Sequence, residues 1–257
     1  MIYTTLTKKA LRLSFAAHKD AKDKSNIPYV YHPYAVAERM TDEISTAVAL
    51  LHDVVEDTEI TLEDLKKDGY PKEVTDALAL MTHAPSVPYF DYIKKLSESD
   101  VARRVKISDL KHNMDLSRME SITDRDIARR EKYVTAIEML LCDGFHRFML
   151  NGEPFSLIKS KKKTVELRLY DEKRQAVKIG DVIEFTNRES GEKLISEVIA
   201  LHRFKSFNEL YANIPLQKCG YTEDNINLAS PTDMSQYYSD DDINKYGVIG
   251  IEIKSLG

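Results

Sequence analysis

The sequence predicts an α + β protein of two domains, an all-helical domain over residues 1–144 and a β-rich domain over residues 145–257. Two observations support this division. Apolar residues recur at helical spacing up to residue 144, and no convincing run of period two precedes residue 145. Beyond that point the apolar and polar residues alternate, as is typical of half-buried strands. The chain of 257 residues is long enough for two cores.

Eight helices are expected in the first domain. Thr61 begins a capping box, TLED, that starts a short helix, and Pro33 and Pro71 stand near the first turn of two others. Gly144 is expected at the C′ position that closes the last helix. Besides the short helix after Thr61, the predicted helices span residues 6–21, 33–40, 44–55, 72–83, 89–96, 100–116 and 124–141.

The second domain reads as a small β-barrel with short helices. The segment 187–191, NRESG, has the composition of a turn between two strands. The segment 206–212 is expected to be helical, and the acidic segment 219–242 to be a surface loop with a short helix. The predicted strands span residues 165–169, 181–185, 194–201 and 248–253.

Composition points to a cytoplasmic protein that does not enter a membrane. No apolar run approaches the roughly 20 residues that span a bilayer, and no secretory signal is recognisable. Cys142 and Cys219 belong to no CxxC or Cys/His cluster, so reduced thiols are expected. The net charge of −5 requires any nucleic-acid contact to come from a local basic patch. The oligomeric state stays open.

An apolar helix carries a polar edge in the segment AVALLHDVVED. His52 and Glu56 are one turn apart, as are Asp53 and Asp57. Burying unpaired carboxylates costs several kcal/mol. A divalent cation would compensate that cost, because neighbouring His and Asp side chains offer nitrogen and oxygen ligands.

Two further polar sites extend this cluster. His32 lies in NIPYVYHP, just before a helix, and Asp109 lies in VKISDLKHNM with Lys106 and Asn113 about one turn away on either side. Two imidazoles and two carboxylates suit Mn²⁺, Fe²⁺ or Zn²⁺ with positions left open for water.

The order H…HD…D resembles the HD superfamily of metal-dependent phosphohydrolases. More closely, YVYHPYAVA, ALLHDVVEDTEIT and VKISDLKHNM resemble the motifs YxxHPxxVA, ALLHDVVEDT and VKLADRLHNM of the hydrolase domain of RelA/SpoT-type alarmone enzymes. That domain degrades (p)ppGpp. The resemblance covers most of residues 1–143 and implies an all-α HD-domain bundle.

The resemblance implies a role for each matching residue. Glu56 and Asp57 position and activate the attacking water or serve as the acid. The positions matched to substrate binding are Lys24, Ser25, Lys106 and Asn113. One Mn²⁺-like ion is held by His32, His52, Asp53 and Asp109.

Two departures from the family bear on substrate specificity and on activity. Asp23 stands where the family has an Arg that grips the guanine nucleotide, and an Asp repels phosphate. This places guanine specificity in question and leaves the metal chemistry untouched. No segment resembles the family's synthetase domain, so alarmone synthesis is not expected.

The second domain contains a KxxExR pattern. Lys163, Glu166 and Arg168 are expected to form a small charged cleft, with Glu166 and Arg168 on one strand face. An ordinary surface ion pair is the alternative. The segments IKSKKKTVELR and VIALHRFKSFNEL resemble the ASCH domain, a PUA-like barrel, over about residues 145–257. Lys161 stands where the family motif has Gly.

The ASCH resemblance implies binding of RNA or modified nucleotides. Some members hydrolyse nucleoside amides or RNA. Phe155 and Tyr170 are candidate stacking residues for a base. A candidate phosphate patch consists of Lys162, Lys163, Arg168, Lys173 and Arg174.

Three functions follow from these patterns. The first is a metal-dependent nucleotide phosphohydrolase of the stringent response, with (p)ppGpp the first candidate substrate and an appended RNA- or nucleotide-binding domain. The second is an RNA- or nucleotide-binding protein whose HD domain senses a ligand. The third is an amidohydrolase or ribonuclease centred on Lys163 and Glu166.

Overall fold

The computed structural model describes residues 1–119 and 121–256. The chain divides into two compact units, Met1–Leu141 and Cys142–Gly257. The first is helical and the second is built on a curled five-stranded sheet, which confirms the predicted α + β fold class.

The first unit is a bundle centred on α3, an apolar helix that packs against α1, α2, α6 and α8. Its residues Ala47–Leu51 are almost wholly buried, because neighbouring helices cover α3 on several sides. The helices are α1 (Thr5–His18), α2 (Tyr31–Glu38), α3 (Glu43–Leu51), α4 (Val54–Asp57), α5 (Leu62–Lys67), α6 (Lys72–Met81), α7 (Tyr89–Leu96), α8 (Asp100–Asn113) and α9 (Asp124–Leu141).

The helix expected over residues 44–55 is interrupted at His52 and Asp53. The Nδ1 atom of His52 lies 2.7 Å from the carbonyl oxygen of Ala49. In a continuous helix that oxygen would accept from the N–H of Asp53. The imidazole competes for this acceptor, and the chain starts a new short helix, α4, directly after Asp53.

Local signals mark other helix ends correctly. Thr61 and Asp64 form the expected capping box. The helices at 89–96 and 124–141 have the predicted bounds. The prediction that Gly144 closes the last helix is wrong: Cys142 takes the left-handed conformation with φ 52°, and Gly144 lies in a 3-10 turn, Cys142–Gly144.

The sheet of the second unit has the order β1-β3-β4-β5-β2. The edge strand β1 pairs with β3 in parallel, and the other neighbouring pairs are antiparallel. The strands are β1 (Phe145–Leu150), β2 (Val165–Leu169), β3 (Val182–Asn187), β4 (Lys193–Phe204) and β5 (Val248–Ser255). The helices are α10 (Gly152–Lys159), α11 (Glu172–Gln175), α12 (Phe207–Asn213) and α13 (Asp240–Tyr246). Between α12 and α13 lie the 3-10 turns Leu216–Cys219, Ile226–Leu228 and Pro231–Gln236.

Two apolar cores lie on opposite faces of the sheet. One includes Phe148, Phe185 and Ile251, and the other includes Leu167 and Val248 with residues of α12. Side-chain alternation along β2 and β5 sends neighbouring residues to different cores. Glu166 and Arg168 therefore lie on the β2 face opposite Leu167.

The open side of the sheet is bridged by side chains. Arg168 donates to the carbonyl oxygen of Met149 at 3.0 Å, and Lys173 donates to that of Arg147 at 3.3 Å. Because β1 and β2 are the two sheet edges, the Arg168 bond ties the edges together, and Lys173 adds a second link to β1 from α11. The strand β1 itself was not predicted from the sequence.

Cys142 is exposed and Cys219 is buried, and the two are not joined in a disulfide. Within residues 1–119 and 121–256, none of the helices combines the length and the apolar character needed to cross a membrane.

Gly247 is expected to be essential to the second unit. It follows α13 at φ 71° and ψ −167°, a region that suits glycine, and a Cβ there would lie 2.8 Å from the Phe204 carbonyl oxygen. Gly247→Ala should lower the free energy of unfolding of this unit by about 3 kcal/mol in denaturant titration.

Gly180→Ala is the matched control. Gly180 has φ 92°, and a Cβ there would meet nothing within 4 Å. Its substitution should cost only backbone strain, about 1 kcal/mol. Equal losses in the two variants would contradict the role of the Phe204 contact.

Candidate functional site

Four helix segments of the first unit bring the predicted metal ligands together. His32 lies in the first turn of α2, His52 and Asp53 lie at the break between α3 and α4, and Asp109 lies in α8. His32, His52 and Asp109 are buried, and Asp53 is half-buried. The break in the helix places His52 and Asp53 side by side at the end of an otherwise apolar core helix.

The ligand atoms lie close to one another. Nε2 of His32 lies 3.2 Å from Oδ1 of Asp109 and 3.5 Å from Oδ2 of Asp53. Nε2 of His52 lies 3.2 Å from the same Asp53 oxygen and 3.8 Å from Oδ1 of Asp109. One atom each of His32, His52 and Asp109 falls within 4.8 Å of the other two. The geometry thus brings all four predicted ligands to one point.

His52 presents an unsatisfied nitrogen to this point. Its Nδ1 bonds to the Ala49 carbonyl oxygen, so Nδ1 carries the hydrogen of a neutral ring. Its Nε2 is buried and has no hydrogen-bond partner among the described residues. Buried polar nitrogens are usually satisfied, and a lone pair aimed at two carboxylates requires a cation or a proton.

His32 is oriented by a second imidazole. Its Nδ1 lies 2.7 Å from Nδ1 of His112 in α8. Burial, reinforced by the neighbouring His32, lowers the pKa of His112 to about 3, so His112 is neutral and able to accept. If His32 donates through Nδ1, its Nε2 lone pair faces the carboxylates, as in His52.

Both carboxylates are held by further polar groups. The hydroxyl of Tyr29 donates to Oδ2 of Asp53 at 2.7 Å. Asn113 donates to Oδ1 of Asp109 at 2.6 Å, and Nζ of Lys106 lies 2.8 Å from Oδ2 of Asp109. Burial opposes ionisation of Asp109, but Lys106 and the imidazoles hold its pKa well below the usual value. Asp109 is therefore an anion inside the bundle.

Without a metal, the cluster attracts protons. Burial alone would lower the pKa of His52, but Asp53 and Asp109 raise it to about 9. A divalent cation bound by these residues would replace such a proton, since ligands bind metals in their deprotonated form.

The residues fit a divalent metal. Ligands bound at about 2.1 Å from one ion lie up to about 4.2 Å apart, close to the spacing of these atoms. The orphaned Nε2 of His52 supplies the lone pair, and two imidazoles with two carboxylates form a nitrogen and oxygen set.

Glu56 and Asp57 lie on the exposed side of α4. Neither carboxylate takes part in a hydrogen bond or ion pair with another described residue. Partial burial, and for Asp57 the neighbouring Asp53, raises the pKa of both groups. Free carboxylates of raised pKa beside a metal site are suited to proton transfer.

A wall of cations and aromatic rings borders the Lys106 side of the site. Nζ of Lys106 lies 5.6 Å from the Tyr92 ring centre, and Nζ of Lys132 lies 3.7 Å over the Tyr89 ring. The Tyr89 and Tyr92 rings are 6.1 Å apart. These four residues of α7, α8 and α9 are named the lysine–tyrosine wall.

A cleft of about 410 Å³ opens beside His32. Its lining has aromatic, acidic and basic members, and His32 itself forms part of the wall. They include Asp23, Tyr29, Tyr31, Tyr34, Glu38, His112 and Arg118.

Lys24 and Ser25 do not line this cleft. Nζ of Lys24 lies 2.8 Å from Oδ1 of the buried Asp126, and the Ser25 hydroxyl donates to the carbonyl oxygen of Arg118. Both therefore tie the loop before α2 to the segments before and within α9. Asp23, the departure from the family pattern, lines the cleft instead.

Three site residues were missed from the sequence. Tyr29 stands three residues before His32 and His112 three after Asp109, so helical spacing from a predicted ligand was an available signal. His18 is buried, its ring centre lies 5.2 Å from that of Tyr29, and its Nε2 has no hydrogen-bond partner in the described chain. No local signal identified His18.

The second unit contains the expected charged cleft, with a volume of about 440 Å³. Glu166 lies 2.9 Å from both Nζ of Lys163 and Nε of Arg168. Glu166 is 3% exposed, so this is a buried ion-paired group and not the surface pair. Burial opposes ionisation of Glu166, yet the two cations lower its pKa. The cleft walls add Arg188, Tyr211, Tyr221, Tyr237 and Tyr238.

The predicted phosphate patch and stacking residues are placed differently from expectation. Phe155 is buried in the core at 1% exposure and offers no free face to a base. Arg168, Lys173 and Arg174 gather over the ring of Phe148. The guanidinium of Arg203 lies 4.5 Å over Tyr170.

Lys161 adopts φ 61°, a backbone conformation that favours glycine, at the position where the family motif has Gly. It is exposed and does not line the charged cleft, so it leaves the cleft open.

Comparison with known families assigns the second unit. Residues 149–257 match the family model of the ASCH domain. This unit is therefore an ASCH domain, as its sequence pattern predicts.

The first unit has relatives among alarmone enzymes. Over 120 residues, 40% of this chain, it is 32% identical to the guanosine-3′,5′-bis(diphosphate) 3′-pyrophosphohydrolase MESH1 of Mus musculus, of which 66% is covered. It is 43% identical over 65 residues, 22% of this chain, to the enzyme of that name from Vibrio cholerae, of which 9% is covered.

A solved structure titled as a metazoan ortholog of SpoT that hydrolyzes ppGpp is 25% identical. It covers 55% of this chain and 86% of that chain, with a TM-score of 0.45. The chain spans less than two thirds of the length of the curated relatives named above. The N-terminal region of this chain is homologous to (p)ppGpp 3′-pyrophosphohydrolases.

The contact between His32 and His112 yields a test of the metal centre. His112→Phe removes the acceptor for His32 Nδ1, so the Mn²⁺ dissociation constant should rise about 10- to 100-fold. His112→Asn keeps a carbonyl oxygen near the same place and should retain most of the affinity. Isothermal titration calorimetry with Mn²⁺ measures both variants. Wild-type affinity in His112→Phe, with unchanged melting of the metal-free protein, would contradict this role.

Proposed function

We propose that this protein is a metal-dependent nucleotide phosphohydrolase, with (p)ppGpp as the first candidate substrate and the 3′-pyrophosphate as the released group. The observation that carries the proposal is the buried His32, His52 and Asp109 cluster with its orphaned Nε2 atom. Its position in a region homologous to 3′-pyrophosphohydrolases supports the choice of substrate.

The metal would be held by Nε2 of both histidines and by the carboxylates of Asp53 and Asp109. A divalent cation supplies a Lewis acid for phosphoryl oxygens and makes water more acidic. Mn²⁺ is the proposed ion, with Fe²⁺ and Zn²⁺ as alternatives of similar ligand preference. Tyr29 and Asn113 hold the carboxylates in place through hydrogen bonds of 2.7 and 2.6 Å.

Glu56 and Asp57 would manage the protons. One carboxylate takes a proton from the attacking water while the other delivers one to the leaving ribose oxygen. Water adds to phosphorus, the bond from phosphorus to the 3′ oxygen breaks, and that oxygen leaves as a hydroxyl. Their raised pKa values bring these groups nearer to the range in which carboxylates exchange protons at neutral pH.

The lysine–tyrosine wall suits a polyphosphate. Lys106 is paired with Asp109, but Lys132 is exposed and makes no ion pair with a described residue. Negative charge on a diphosphate is stabilised beside such cations. The setting we propose is the cytoplasm, and the process is the stringent response.

For the ASCH unit we propose binding of a nucleotide or RNA. The supporting observation is the cleft of about 440 Å³, in which tyrosines surround the Lys163, Glu166 and Arg168 group. Aromatic walls with convergent charged groups are typical of sites for nucleobases. Hydrolysis by Lys163 and Glu166 is a weaker candidate, because Glu166 is already paired with two cations.

Variants of the first unit separate metal binding from proton transfer. His52→Ala should abolish Mn²⁺-dependent pyrophosphate release from ppGpp and weaken Mn²⁺ binding. Glu56→Gln should lower kcat by about 10²- to 10⁴-fold with Mn²⁺ binding unchanged. In the wild type, the rate should fall as the pH drops toward the pKa of Glu56, which lies above the ordinary value of 4.5.

His202→Ala is the matched control, because His202 pairs with Glu252 in the second unit. It should leave pyrophosphate release unchanged. Release that persists in His52→Ala would refute the proposed centre.

A substitution in the second unit tests RNA binding. Lys163→Ala should weaken binding of a single-stranded RNA in fluorescence anisotropy. The slope of the logarithm of the binding constant against the logarithm of the salt concentration should fall in magnitude by about one. The exposed Lys254, which does not line the cleft, provides the control variant Lys254→Ala. Absence of RNA binding by the wild type at low salt would remove RNA as the ligand.

A further inference from the structure

The cleft beside His32 differs in charge from the Lys106 side of the metal centre. Asp23 and Glu38 both line it, and Arg118 is the one Lys or Arg among its lining residues. Nη2 of Arg118 donates to the carbonyl oxygen of His112, which holds the guanidinium at one edge. By contrast, the lysine–tyrosine wall carries two lysines.

Asp23 is a fixed charge. Its Oδ1 accepts from the backbone N–H of Ser25 at 2.9 Å and of Ile27 at 3.0 Å. These bonds form the turn in which Asn26 takes φ 62°, and they orient the carboxylate. Its Oδ2 has no hydrogen bond from the described residues, so it can accept from a ligand.

The remaining lining is suited to an uncharged aromatic group. Tyr31 is 62% exposed and Ile27 is 48% exposed, so both offer free apolar surface in the cleft. Stacking on a tyrosine stabilises a nucleobase through its aromatic face and requires no charge on the ligand. A volume of about 410 Å³ is in the range of small-molecule pockets.

These contrasts orient a substrate. A diphosphate at the metal is favoured on the side of the lysine–tyrosine wall, which leaves the nucleoside for the cleft beside His32. Phosphate groups on the 5′ carbon of a nucleoside held in the cleft then approach the carboxylate of Asp23, and like charges repel.

We infer that Asp23 selects, among nucleoside 3′-diphosphates, those with little or no charge at the 5′ end. This inference rests on the proposed function. Asp23 acts by repulsion of the 5′-phosphates and by accepting a hydrogen bond from the neutral nucleoside.

The test compares kcat/KM for pyrophosphate release from ppGpp and from guanosine 3′-diphosphate with a free 5′-hydroxyl. The wild type should prefer the second substrate. Asp23→Asn retains the oxygen that accepts from Ser25 and Ile27 but removes the charge. It should raise kcat/KM for ppGpp about fivefold or more. The kcat/KM for guanosine 3′-diphosphate should stay the same or fall.

Asp20→Asn is the matched control, since the Asp20 side chain is 90% exposed and does not line the cleft. It should leave the preference unchanged. Raising the salt from about 0.05 M to about 0.5 M should narrow the wild-type preference, because screening weakens the repulsion.

The outcomes are distinguishable. If the wild type, loaded with Mn²⁺, releases pyrophosphate from neither substrate, the proposed function fails and this inference falls with it. If the wild type is active but shows no preference, Asp23 does not select. The inference is also overturned if Asp23→Asn changes both substrates equally, because that is the effect of a structural role alone.

Discussion

The first unit depends on accommodating the carboxylates of Asp53 and Asp109 where helices α2, α3 and α8 meet. An isolated carboxylate in such a place is so unfavourable that it would protonate or draw in water. Lys106 compensates Asp109 from one side, and the imidazoles of His32 and His52 face both carboxylates from the other. The apolar residues of α3 are buried beside this group, and the low local dielectric strengthens its attraction for a cation.

Fold class and most element positions follow from local patterns in the sequence. Helix ends with a side-chain cap, such as Thr61, could be read directly because the cap is formed within four residues. The break at His52 could not, since residues 44–55 have continuous helical periodicity and the break involves an imidazole bonded to the Ala49 carbonyl. Strand β1 was missed because its six residues pair in parallel with β3, which is distant in the chain.

For the candidate site, the types of the proposed ligand residues and their motifs were predictable. The neighbouring side chains that hold these residues in place were not. His32 and Asp109 were recognised as the outer members of the order H…HD…D, and the structure places their side chains 3.2 Å apart. The bond from Tyr29 to Asp53 and the cleft lined by Asp23 depend on how helices pack, which no local pattern contains. For Lys24 a motif match predicts substrate contact, and the fold adds an ion pair with Asp126 that the sequence did not indicate.

The side-chain bridge across the open side of the sheet has a consequence for self-association. An unprotected edge strand presents backbone groups that recruit a strand from another molecule. In the second unit, the carbonyl oxygens of Arg147 and Met149 on β1 are already occupied by Lys173 and Arg168. An incoming strand would have to displace two cationic donors and leave them beside its own backbone. The incomplete barrel thus gains, from two side chains, much of the protection against edge-to-edge aggregation that full closure gives.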